Sequence, residues 1–195
     1  MLDEIIHERI KKVAELRKEG INPYPAHITR SHSIAEFLDN FSALLRSKKT
    51  ATIVGRIKSM RVQGNIAFFT VQDQSGAVQV VIKKDTTNHF KTYKDVFDIG
   101  DFMWAQGAAF TTRRGEKSVL ARRVHMASKA LRPIPSEYYG LQDTEMRLRK
   151  RYLSTMLDVD ERDLFVKKSA FWRAMREFLD GQQPPFYRMA YVCVS

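Results

Sequence analysis

Residues 50–83 read TATIVGRIKSMRVQGNIAFFTVQDQSGAVQVVIK, three β-rich runs broken at Gln63-Gly64-Asn65 and Gln74-Ser75-Gly76. Short glycine-bearing breaks between such runs predict an antiparallel meander. Ala67, Phe69 and Val71 share one parity of the second run, and Val78, Val80 and Ile82 share one parity of the third. Side chains alternate across a strand, so each run has one face suited to a core. The opposite parity carries Ile66, Phe68 and Thr70, then Gln79, Val81 and Lys83, with Arg61 ending the first run. A ring, an amide and basic groups on one face suit the stacking and hydrogen bonding of an unpaired base. The same pattern also fits a two-sided sheet whose second face is covered by another element.

Flanking segments carry helical periods. Leu2, Ile6, Ile10, Val13 and Leu16 predict a helix over residues 2–19, stopped at Gly20 and followed by Pro23 and Pro25. Ser33 and Glu36 have capping-box spacing, so a second helix is expected from Ile34 through Phe37, Leu38, Phe41, Leu44 and Leu45. Arg46, Lys48 and Lys49 follow at its C-terminal end, where the dipole favours cations. Phe90, Tyr93 and Phe97 then recur at helical spacing, and two strands are expected over 102–112 and 117–126, joined at 113–116. Three strands, a helix and two strands is the order of the OB-fold, a five-stranded, partly open Greek-key barrel whose ligand face centres on its second and third strands. The predicted class is α+β, mainly β, and in this topology Phe68 and Gln79 fall on the ligand face.

Beyond the barrel, residues 128–140 contain two prolines and read as a connector. Residues 141–155 are basic, with Arg147, Arg149, Lys150 and Arg151 against Asp143 and Glu145. A further helix is expected over 160–180, its apolar side formed by Phe165, Ala170, Phe171, Ala174, Met175, Phe178 and Leu179. Two helices cannot close a domain, so they read as the opening of a larger one. The expected division is an N-terminal helical extension (1–49), a barrel (50–127), a linker (128–140), a helical stub (141–180) and a tail (181–195).

Composition narrows the partners. At 195 residues the chain holds one domain and part of another, and its net charge of +11 favours a polyanion, nucleic acid first and a membrane surface second. No apolar run approaches the ~20 residues that span a bilayer. The N-terminus has early acidic residues and an amphipathic period, unlike a secretory signal. Cys193 is the only cysteine, which excludes an internal disulfide and a multi-cysteine zinc site and points to a reducing, cytoplasmic setting. His7, His27, His32, His89 and His125 lack ligand spacing, and no glycine-rich phosphate loop is present. No catalytic residue and no cofactor or metal site is expected in this chain.

The segments GINPYP, VGRIKSMRVQGNIAFFTVQDQSGAVQVVIKKD, FDIGD and SKALRPIPSEYYGLQDTEMRLRKRYL, and the REFLD helix, occur in that order over about residues 1–180. Together they resemble the N-terminal half of a bacterial-type lysyl-tRNA synthetase, a class II aminoacyl-tRNA synthetase. The connector wording is the most specific part. The resemblance implies that the barrel binds the uridine-rich anticodon of a lysine tRNA. It places Phe68 where an aromatic ring stacks on an anticodon base, Arg61 and Gln79 where the central uridine is hydrogen-bonded, and Glu116 where a carboxylate reads the third position. For the intact family enzyme it implies ATP, magnesium and a homodimer.

The likeness stops after Asp180, where the residues 181–195 do not match class II motif 1, and motifs 2 and 3 do not occur in the sequence. The chain is therefore expected to bind tRNA without aminoacylating it. Two alternatives of different class stand beside this reading: a single-strand binding module with no tRNA preference, and a protein-interaction fragment working through its C-terminal helices.

Overall fold

The computed structural model of the chain describes residues 2–134 and 144–182, which fall into two compact units divided after Ile134. Residues 135–143, which take in the end of the proline-bearing connector, and residues 183–195, with Cys193, lie outside the described residues.

The first unit contains α1 (Leu2–Lys18), α2 (Ile34–Asp39), α3 (Phe41–Ser47), β1 (Thr50–Gln63), β2 (Ile66–Gln72), β3 (Ala77–Lys83), α4 (Phe90–Val96), β4 (Phe102–Thr111) and β5 (Lys117–Ser128). The strands close in the order β1-β2-β3-β5-β4, antiparallel except for a short parallel pairing of β3 with β5. This is the expected α+β barrel with a helix between β3 and β4. The inward parity of β2 and β3 is the apolar one: Ala67, Phe69, Val71, Val78, Val80 and Ile82 are all buried, beside Ile53, Ile57, Met103, Val124 and Met126. From α4, Tyr93 stacks on Phe97 at 5.3 Å, and Phe97 meets the Phe69 ring edge-on at 5.6 Å, so the helix plugs the barrel with aromatic surface.

Two glycines let the strands close. A Cβ on Gly107 would lie 2.0 Å from the Leu120 carbonyl oxygen, and one on Gly55 would lie 2.6 Å from that of Gln72. Neither position has room for a side chain where the backbones cross.

α1 ends as its sequence predicts. Gly20 takes φ +74°, its N–H donates to the Arg17 carbonyl, and the Ile21 N–H donates to Leu16, the paired bonds of a Schellman cap. The expected single helix over 34–45 is instead two. Asn40, with φ −88° and ψ 7°, ends α2 and begins α3, and its Nδ2 donates to the Glu36 carbonyl at 2.9 Å. A side-chain amide that takes a backbone acceptor competes with helix continuation. The capping box of Ser33 and Glu36 is present.

Asp73 ties the β2–β3 turn to α2. Its Oδ1 accepts from the Ser75 hydroxyl and the Ser75 and Gly76 N–H groups, while Oδ2 accepts from the Ile34 N–H and from Arg30. Burial alone would raise this carboxyl, but the hydrogen bonds from Ser75, Ile34 and Gly76 outweigh it and hold it below the usual carboxylate range. A group lowered in the folded state stabilises above its unfolded value, about 3.9, and loses that contribution as pH falls through the folded value. Asp73→Asn is therefore expected to cost about 1–3 kcal/mol at pH 7. Urea unfolding of both proteins from pH 7 down to 2.5 should show that difference narrowing below about pH 4.

The second unit holds α5 (Thr144–Arg149), α6 (Arg151–Leu157) and α7 (Val159–Gly181), three helices where two were expected. The Asp158 side chain caps α7 by accepting from the Asp160 and Glu161 N–H groups. Glu161 joins α7 back to Ser154 on α6 and to Arg147 on α5. Phe171, Met175 and Phe178, on the expected apolar side of α7, are exposed.

Candidate nucleic-acid interface

The outward parity of β2 and β3 forms the floor of a groove of about 790 Å³, walled by the end of β1 and the β4–β5 turn. Register sets the floor: Arg61 lies opposite Phe68, Phe68 opposite Val81, and Thr70 opposite Gln79. Gly64 takes φ +56° in the two-residue β1–β2 turn, the conformation that pins this register. The four residues singled out by the resemblance, Arg61, Phe68, Gln79 and Glu116, all line the groove. Phe68 is half-buried on the outer face, whereas its neighbour Phe69 is fully buried in the core.

The polar groups form a connected set. Gln79 Nε2 donates to Glu116 Oε2 at 2.8 Å, and the Ser118 hydroxyl donates to Gln79 Oε1 at 3.1 Å. Glu116 is presented by a tight turn in which Gly115 takes φ +82°, the Thr112 N–H donates to the Glu116 carbonyl and the Glu116 N–H donates to the Thr112 hydroxyl. Across the groove Gln63 accepts from the Arg61 guanidinium, 3.1 Å from Nε, once its amide oxygen is turned toward Arg61. Donors and an acceptor are thus held around one half-buried ring. That combination offers a π-face to any base and hydrogen-bonding groups to its edge.

The groove also uses residues that sequence reasoning did not single out as site members. Phe110 gives a second aromatic wall, with the Lys83 ammonium 5.3 Å from its ring centre. Phe110 belongs to the outward parity of β4 with Phe102 and Trp104, so the period-2 pattern already placed it on the outer face. Arg113 and Arg114 add positive charge at the rim beside Glu116. Ser118 is buried and carried no signal of its own, because its role depends on the parallel pairing that sets it opposite Gln79.

The barrel that carries this groove has known relatives. Residues 51–127 match the family model described as an OB-fold nucleic acid binding domain, a span that contains all four groove residues. The chain is 37% identical over 183 residues to the lysine--tRNA ligase of Clostridium botulinum (strain Langeland), covering 92% of this chain and 36% of that protein. It is also 37% identical over 181 residues to the lysine--tRNA ligase of Carboxydothermus hydrogenoformans, with the same shares. With that of Pelotomaculum thermopropionicum it shares 37% identity over 183 residues, 93% of this chain and 36% of the relative. On these grounds the chain belongs with the N-terminal, anticodon-binding portion of the lysyl-tRNA synthetases. It spans about a third of the length of the relatives it matches.

Within this synthetase portion the barrel is the matched domain, and α1 is fastened to it by a buried arginine. Arg9 donates to the carbonyls of Ala130 at 2.7 Å, Ile99 at 3.1 Å and Arg132 at 3.2 Å. Among the described residues, no group of three or more His, Cys, Asp or Glu side chains is placed to hold a metal ion, and no helix is long and apolar enough to cross a membrane.

Proposed function

We propose that the groove binds the anticodon loop of a lysine-accepting tRNA and reads its uridines, as the delivery module of a cytoplasmic enzyme that attaches lysine to tRNA. The observation that carries this reading is the convergence of Arg61, Phe68, Gln79 and Glu116 on one groove, with Gln79 bonded to Glu116 at 2.8 Å. Phe68 stacks on a base without choosing among bases. Choice falls to the polar trio, because uracil presents two carbonyl acceptors and an imino donor. Arg61 and Gln79 donate to the carbonyls of the central uridine, and Glu116 accepts an imino proton at the third position. Lys83, Arg113 and Arg114 neutralise phosphates along the rim.

Base readers and phosphate contacts separate experimentally. Gln79→Ala should reduce the preference for a central uridine over other bases by roughly five- to tenfold. Lys83→Ala should weaken all stem-loops alike and reduce the slope of log affinity against log salt by about one. Fluorescence anisotropy with anticodon stem-loops at several salt concentrations measures both. A single-strand module without tRNA preference would instead bind an oligo-U strand as tightly as a lysine-tRNA stem-loop of equal length.

Aminoacylation is assigned to the intact enzyme. The present chain is expected to bind tRNA without activating lysine, since motifs 2 and 3 do not occur in its sequence. ATP–pyrophosphate exchange with lysine tests this: exchange above background would overturn it.

A further inference from the structure

Glu116, on the anticodon reading, contacts the third base, and its bond to Gln79 gives it a second task. The Gln79 amide has an oxygen that accepts and a nitrogen that donates, and nothing in the residue itself decides which way they face. Two neighbours flank it. The Ser118 hydroxyl, 3.1 Å from Oε1, can donate or accept, so it tolerates either orientation. The Glu116 carboxylate, 2.8 Å from Nε2, can only accept. Turning the amide over would set Oε1 against a carboxylate oxygen. Of the two neighbours, Glu116 alone forces the nitrogen toward itself and the oxygen toward Ser118. One N–H of Nε2 is then engaged by Glu116, and the other has no partner among the described residues, on a side chain that lines the groove.

We infer that Glu116 is a positioning residue for Gln79: it makes that amide a donor toward the central base, and so couples base choice at the central position to a side chain that reads the neighbouring one. This rests on the anticodon reading. Uracil has carbonyl acceptors at positions 2 and 4; cytosine carries an amino donor at position 4, and isocytosine carries one at position 2. A Gln79 held as a donor refuses whichever amino group it meets. An amide free to turn over accepts it.

Glu116→Gln keeps the size of the side chain but can pair with Gln79 in either orientation. Affinities are measured for stem-loops with uridine, cytidine or isocytidine at the central position and the third base held constant. The proteins compared are the wild-type chain, Glu116→Gln, Gln79→Ala and the double variant. The wild-type chain should prefer uridine. Glu116→Gln should lower the preference over cytidine or isocytidine by about fivefold, the factor supplied by one oriented hydrogen bond, and should add nothing in the Gln79→Ala background. Unchanged preferences in Glu116→Gln would overturn the inference. So would an undiminished effect in the Gln79→Ala background, which would mean that Glu116 acts on the central base directly. Without RNA, the side-chain amide signals of Gln79 in 15N-edited spectra should change in Glu116→Gln, and their persistence would equally count against it. A wild-type chain that binds no stem-loop, or all three alike, removes the anticodon reading itself and the inference with it.

Discussion

Lys129→Met is expected to lower the unfolding free energy of the barrel unit by about 3–5 kcal/mol, the usual result of removing one partner from a buried ion pair. The Lys129 ammonium has no exposed surface. It donates to the Val96 carbonyl at 2.6 Å, to Asp98 Oδ2 at 2.5 Å and to Asp101 Oδ2 at 2.7 Å. Asp101 is equally buried and also accepts from the Asp98 and Ala130 N–H groups. Burial pushes the Asp101 carboxyl up even with Lys129 beside it, whereas Asp98, which burial would also raise, is held low by Lys12 and Lys129. With the ammonium gone, Asp101 keeps two backbone donors and no countercharge. Its cheapest remedy is protonation, so the cost of Lys129→Met should shrink as pH is lowered from 7 toward 4. Urea denaturation followed by tryptophan fluorescence measures this, and a change under 1 kcal/mol at pH 7 would show that the cluster contributes little. Adding Asp101→Asn to Lys129→Met should recover part of the loss, because no buried charge then stands alone.

Lys129 also shows where sequence reading ends. It lies in a segment whose prolines read as a connector, and its acidic partners stand 28 and 31 residues away. No local period brings them together; only the end of β5, returning beside the α4–β4 turn, does. The strand pattern of β2 and β3 is legible because a two-residue repeat is local and every position of the inward parity, from Ala67 to Val71 and from Val78 to Ile82, is apolar. Alternation alone sorts Phe68 and Phe69 onto opposite faces, and the helix between β3 and β4 completes the topology. The break at Asn40 escapes because Phe41 and Leu44 continue the apolar period across it, and a side-chain bond to a carbonyl leaves no mark on that period. Likewise the Gln79–Glu116 bond joins residues 37 positions apart through the parallel pairing of β3 with β5. The family resemblance nominates both side chains, yet not that one is bonded to the other.

Phe68→Ala is expected to weaken anticodon stem-loop binding by roughly 5- to 150-fold, the range that 1–3 kcal/mol of base stacking supplies. The ring sits half-buried on the outer face, opposite Arg61 on one strand and Val81 on the other, in a groove that also holds Phe110. Truncating it removes surface from the groove and leaves the core packing of Phe69, Phe97 and Tyr93 in place, so the melting temperature should move little. Because every base has a π-face, the loss should be similar for stem-loops that differ at the central position. That separates it from Gln79→Ala, whose effect is on preference. Phe68→Tyr should restore most of the affinity, since it restores the ring. Equal binding by wild type and Phe68→Ala, both folded, would move the base-stacking surface elsewhere on the barrel, and Phe110→Ala would then be the variant whose affinity decides where.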